Sequence, residues 1–175
     1  MDKKIRNMKR IIFFIGFLLL ITPFANAQTG SKQRRLEKEA EVKQLIDSQK
    51  FRFVAREAIP LSGSKVNLTS LYDLKVDGMM IESWLPFFGR AYHVDYGSQD
   101  GGIKFKEKAD HLNIRYKEKK KVYEINITVD TDKDNYKINI SAGASGYADM
   151  TVVSNNRQSI SYYGVIEPLK EEKEN

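Results

Sequence analysis

From Leu112 to Tyr162 apolar residues recur at every second position in five consecutive segments, separated by short polar turns. The segments are Leu112-Ile114-Tyr116, Tyr123-Ile125-Ile127-Val129, Tyr136-Ile138-Ile140-Ala142, Met150-Val152 and Ile160-Tyr162. A period of two belongs to strands with one buried face, and slipping such a strand by one residue turns its whole apolar row to the other side. Opposing residues on the buried face must therefore both be apolar, which fixes the register. Leu112, Ile114 and Tyr116 meet Ile127, Ile125 and Tyr123 across a Lys119-Lys120 turn. Val129, Ile127, Ile125 and Tyr123 meet Tyr136, Ile138, Ile140 and Ala142, and Ile140 and Ile138 meet Met150 and Val152 around a Gly143–Gly146 loop. In the last hairpin, Gly146 to Ile166, a two-residue Asn155-Asn156 loop would set Val152 against Ser159. A three-residue loop, Asn155 to Arg157, sets Val152 against Ile160 and Met150 against Tyr162, with a residue near αL in the loop. Tyr162 then faces inward and Tyr163 outward.

Upstream, Phe51, Phe53 and Ala55 alternate with Arg52, Val54 and Arg56 up to Pro60, which cannot donate to a ladder. Leu61 to Lys65 reads as a loop. Tyr72, Leu74 and Val76 lead into Asp77-Gly78, a preferred type I′ pair, predicting Val76 opposite Met79, Leu74 opposite Ile81 and Tyr72 opposite Ser83. The run from Trp84 to Arg90 breaks the alternation and reads as an aromatic corner. Tyr92, Val94 and Tyr96 alternate again, Gly97 to Gly102 is a loop, and Ile103 and Phe105 resume the pattern. Before all of these, Ser31 to Gln49 holds good helix formers with no Gly or Pro, while Gln28 to Gln33 reads as loose. The helix's apolar residues Leu36, Ala40, Val42, Leu45 and Ile46 spread over a broad arc, so it is expected to pack on a surface rather than to be central to the core. A solvated charged helix or disordered leader is the competing reading. The fold class is mainly β (α+β): an N-terminal helix, then an up-and-down antiparallel meander of about ten strands, strongly curved or barrel-like.

Residues 1–27 read as a secretory signal peptide: a basic stretch with Lys3, Lys4, Arg6, Lys9 and Arg10, an apolar Ile11–Ile21, and an Ala25-Asn26-Ala27 cleavage site. The apolar run is short for a bilayer span, although an uncleaved anchor is the alternative. Gln28 would follow the cut, not the Cys a lipid anchor needs, so the expected product is exported, periplasmic or secreted, and neither lipid-anchored nor membrane-spanning. Residues 28–168 would form one domain, and 169–175 a disordered charged tail. The chain has 29 Lys plus Arg and 23 Asp plus Glu. Without the leader 24 and 22 remain, a net charge of +2, so nucleic-acid binding loses its electrostatic support. The absence of cysteine excludes disulfides, thiol catalysis and Cys-based metal sites.

Few side chains converge on chemistry. His93 with Asp95, and His111 with Asp110, lack the further ligands of a zinc site. Gly143-Ala144-Ser145-Gly146 lacks the spacing of a nucleophile elbow. Asp130, Asp132 and Asp134 begin a calcium-loop pattern that fails at Asn135 and Ser141, which favours an acidic hairpin turn. Lys104, Lys106, Arg115 and Lys117 share the polar face beside Lys119 to Lys121; a solvated outer face outweighs an anion-binding patch, since Glu107, Glu118 and Glu124 interrupt it. The aromatic corner is the principal binding candidate, with Trp84, Phe87, Phe88, Arg90 and Tyr92. Its competitor is a cap on one end of the core. Arg157 and Tyr163 are a secondary candidate. No catalytic residue, metal or cofactor is assigned.

The segments LPFFGRAY (Leu85 to Tyr92) and GYADMTVVSNNRQSISYYGVI (Gly146 to Ile166) resemble a family of small exported proteins of Bacteroidota-type bacteria, the domain of unknown function number 4251. The resemblance covers nearly all of the chain after the leader and implies export and a single domain, with no activity. Many such proteins look like lipoproteins, a feature this leader lacks. The expected function is a non-enzymatic periplasmic or envelope binding module holding an apolar or amphipathic small ligand. The alternative is a structural or protein-interaction component of the envelope.

Overall fold

The computed structural model describes residues 25–92 and 101–169. Helix α1 (Ala25–Asp47) precedes nine strands: β1 (Lys50–Pro60), β2 (Val66–Asp77), β3 (Met80–Leu85), β4 (Ile103–Lys108), β5 (His111–Lys117), β6 (Val122–Asp130), β7 (Asn135–Gly143), β8 (Tyr147–Ser154) and β9 (Ile160–Glu167). Residues through Glu37 and residues from Lys38 onward form two compact units. In the first, α1 is solvent-facing from Gly30 on, with Gln33 Nε2 donating to Glu37 Oε1 at 3.1 Å. The stretch expected to be loose, Gln28 to Gln33, is helical, since Gly30 alone among these residues opposes the helix, by about 1 kcal/mol. Most of the leader and of the charged tail lies outside the described residues.

The second unit holds the whole sheet. All neighbours are antiparallel in the order β4-β3-β2-β1-β9-β8-β7-β6-β5. Two meanders, β1 to β4 and β5 to β9, are thus joined by pairing of the first strand with the last. Counting alternations along that order, β4 and β5 run in the same direction at opposite edges, yet only Ala109 and Asp110 separate them. Two residues can connect the edges only if the sheet curls until they meet. At this bend the backbone changes partners: Ala109 N donates to Met79 O at 2.7 Å and Asp110 N to Thr128 O at 2.9 Å. The result is a strongly curled half-barrel. Nine strands are present among the described residues; the further strand expected from Tyr92 to Tyr96 falls mainly on residues outside them.

The register read from apolar pairing holds from Leu112 to Tyr162. Ile114 faces Ile125, Ile127 faces Ile138, Ile140 faces Met150, Val152 faces Ile160, and Met150 faces Tyr162. Tyr162 is fully buried and Tyr163 half-buried on the other face. Two turns differ. The β2–β3 loop is Gly78-Met79, with Val76 opposite Ile81 and Leu74 opposite Ser83. Gly78 has φ +57° and Met79 is not left-handed, the pattern of a II′ turn, so Asp77 stays in its strand. This choice pairs two fully buried residues, Val76 and Ile81, where the I′ register would set Val76 against the partly exposed Met79. The β8–β9 connection spans Asn155 to Ser159 and has no left-handed residue. Its backbone is drawn out to pair with another segment, as described below.

The core consists of inward rows from every strand, including Phe51, Phe53, Leu74, Ile81, Leu85, Ile103, Ile125, Ile138, Met150 and Tyr162. Val42 and Ile46 of α1 are fully buried within it, so from Lys38 onward the helix is part of the core, contrary to the broad-arc expectation. The exposed residues Ala40 and Leu36 contribute to that arc without entering the core. Glycine makes the fit possible at Gly146 (φ +90°), where an added Cβ would stand 3.2 Å from Val42 Cγ2. Two residues after α1, Gln49 turns the chain into β1 with a φ of +55°, and Gln49 O accepts from Gly78 N at 2.8 Å.

Candidate functional site

The half-barrel has two unlike ends. At one, the part of α1 from Lys38 onward lies by the β2–β3 and β7–β8 turns. At the other, the aromatic corner from Pro86 to Tyr92 meets Gly101, Gly102 and the β8–β9 loop. The corner exists because Pro86 ends β3 pairing and Gly89, at φ +157°, lets the chain pass Phe87: a Cβ there would be 3.1 Å from the Phe87 ring.

The β8–β9 loop ties this end together. Ala91 bridges to Arg157, Tyr92 N donates to Asn156 O at 2.8 Å, and Gln158 N donates to Arg90 O at 3.0 Å. The Gln158 side-chain oxygen accepts from Arg90 N at 3.2 Å. Arg157 Nη1 donates to Gly101 O at 2.6 Å and Gly102 O at 3.1 Å, and its guanidinium lies 5.3 Å from the Phe87 ring centroid. On the loop's other flank, Asn156 Nδ2 donates to Lys133 O at 2.9 Å, and the Asp134 carboxylate accepts from the Ser154 hydroxyl and Asn155 N. Asp134, one member of the incomplete calcium-loop pattern, is thereby committed to joining two turns; Asp130 and Asp132 are exposed.

Below the corner the core is filled by its own rings. Tyr162 donates to Pro86 O at 2.6 Å, and Phe105 of β4 stacks on Tyr136 of β7 at 4.9 Å. Burial pushes the Tyr162 phenol far up, and the nearby Arg157 only partly offsets this. Tyr136 is raised by burial and then by Asp134. Both phenols stay neutral.

Primary candidates divide by exposure. Phe87 and Phe88 are half-buried against the core and act as its cap. Arg90 is exposed and held through its backbone. Trp84 and Tyr92 present their rings to solvent, at 52% and 65% exposure. Lys104, directly opposite Trp84 on β4, places Nζ 3.8 Å from the indole centroid. The secondary pair separates: Arg157 belongs to the corner, whereas Tyr163 lies on the outer face with Tyr147, ring centroids 6.0 Å apart. His111 is exposed at the start of β5; His93 and Asp95 lie outside the described residues.

The lysine face divides between two edges. Lys106 pairs with Glu82 at 3.2 Å and Lys117 with Glu124 at 2.5 Å. Sequence periodicity does not reveal that Arg52, on the outward row of β1, is buried. Its Nη2 meets Glu167 Oε2 at 2.6 Å and its Nη1 lies 3.7 Å from Asp73 Oδ2. Burial raises the Asp73 carboxyl against the lowering effect of Lys75 and Arg52. The nearest sequence signal is an acid on each flanking strand, Glu167 directly opposite on β9 and Asp73 two residues from the opposing Lys75 on β2, and it requires knowing that β1 pairs with β9. Among the described residues no cluster of three or more His, Asp or Glu could hold a metal. No described helix is long and apolar enough to cross a membrane.

No curated protein matches the chain in sequence. Its fold is similar to the crystal structure of a DUF4251 family protein from Bacteroides eggerthii DSM 20697, with a TM-score of 0.58 at 13% identity over 75% of this chain and 87% of that one. Residues 33–166, which take in most of α1 and all but the last residue of β9, match the family model described as Domain of unknown function (DUF4251), and the chain belongs to that family.

Proposed function

We propose that this protein is a non-enzymatic binding module of the periplasm or cell envelope, taking an amphipathic ligand on the Trp84–Lys104 ledge. The supporting observation is the juxtaposition of a half-exposed indole with an ammonium 3.8 Å from its centroid, on two paired strands of a rigid sheet. An indole offers apolar area and an ammonium offers charge, so an anionic amphiphile matches both. With Tyr162, Phe105 and Tyr136 packed beneath the corner, the ledge binds at the surface rather than inside the sheet. Export rests on the leader's composition. The non-enzymatic reading rests on the chemistry of the corner, whose strongest polar groups are engaged by backbone carbonyls and amides.

Trp84 is the only tryptophan, so its emission reports the ledge directly. Titration with laurate below its micellar concentration should give a saturable change, with dodecyltrimethylammonium and maltose as controls. Lys104→Glu should weaken laurate binding at least tenfold while leaving the far-ultraviolet circular dichroism unchanged. Absence of saturation, or equal responses to the anionic and cationic amphiphiles, overturns the proposal.

A further inference from the structure

The curled sheet leaves β5 paired on one side only, with β6, among the described residues. An unpaired edge presents backbone donors and acceptors that template another strand unless something covers them. On the inward row of β5, Leu112 and Ile114 are half-buried and Tyr116 is 42% exposed, while their partners Ile125, Ile127 and Tyr123 are buried. The apolar row is thus less covered at its edge than one strand further in. The outward row is His111, Asn113, Arg115 and Lys117, followed in the turn by Glu118 and then by Lys119, Lys120 and Lys121. Glu124 pairs with Lys117, leaving the edge with a net positive row. At the end of β5 a groove of about 540 Å³ opens toward α1. Ile114, Tyr116, Tyr123, Ala40 and Ala144 give it apolar walls, and Glu39, Glu118 and the Lys43–Asp47 ion pair complete its lining. Tyr116 and Tyr123 form a tilted ring pair 4.7 Å apart there.

We infer that the free edge of β5 accepts an extended segment of a partner protein as an added strand, with acidic residues alternating with apolar ones. Backbone pairing supplies affinity in this mode and alternate side chains supply selectivity. Apolar side chains would complete the cover over Leu112 and Ile114 and reach the tyrosine-lined groove. Acidic ones would face Arg115 and the turn lysines. A second copy of the same edge is disfavoured, since antiparallel pairing would set two cationic rows against each other. This site is independent of the Trp84 ledge.

The test titrates the ¹⁵N-labelled full chain with two synthetic octapeptides, one alternating Glu and Val, the other Lys and Val. The Glu peptide should shift the β5 amides selectively, bind at least tenfold tighter than the Lys peptide, and leave Trp84 emission unchanged. Arg115→Glu with Lys117→Glu should invert that preference. Equal binding of the two peptides to the unmodified protein, no shift along β5, or shifts centred on the corner each overturn the inference, whatever the variant does.

Discussion

Gly164 shows how tightly single positions are set. It lies in β9 between Ala55 and Ala148, beside the irregularity of β1 at Ala55–Glu57, and a Cβ there would fall 2.2 Å from Val54 O and 2.7 Å from Phe53 Cζ. The first obstacle is backbone in the middle of a sheet, so relaxation is costly. Gly164→Ala is expected to destabilise by about 3 kcal/mol, the upper end of overpacking effects, read as a lower urea midpoint. Glu82 illustrates the electrostatic counterpart. Burial opposes its ionisation, yet hydrogen bonds and attraction from Lys75 and Lys106 hold its pKa below the ordinary 4.5. A lowered folded-state pKa stabilises above the unfolded value and is lost as pH falls through the folded one. Glu82→Gln should therefore cost up to about 1 kcal/mol at pH 7, a modest figure for a partly exposed pair, and the difference from the parent should vanish in chemical denaturation once the pH has fallen through the folded-state pKa.

Among elements, α1 departs furthest from its sequence pattern. Its apolar residues scatter around the helix, but position along the helix matters more than angle: Val42 and Ile46 insert into the core while Leu36 stays exposed. Periodicity averages over a helix that is solvated from Gly30 to Lys38 and has buried residues near its end. Ile46→Ala should cost about 2–5 kcal/mol by opening a cavity in a fully buried site, measured by calorimetry; a solvated leader helix would show almost no loss. Strands β5 to β9 were legible for the opposite reason. Each is short, each turn is local, and the inward positions are apolar apart from Ser154 at the end of β8, so one register satisfies all pairs. The Asp77-Gly78 signal misplaced its turn by one residue because Gly78 alone supplies the positive φ and Asp77 is still extended.

Across the whole molecule, what sequence reasoning missed is non-local. Pairing of β1 with β9 crosses more than a hundred residues, and nothing in either strand names the other. The same holds at the corner. The aromatic run was visible, but its division into cap and ledge depends on Arg157, Gln158 and Tyr162, which arrive from the far end of the chain. Arg157 was singled out as a second candidate, and the structure merges it with the first.

The β1–β9 ladder also bears on the order in which the chain can fold as it is made. When it emerges N-terminus first, β1 appears early and can pair with β2, but its other side stays open until residues 160–167 follow. The strand made last is the middle of the sheet, so neither meander can be joined to the other in advance. A chain of this design keeps its sheet unfinished until β9 has been made.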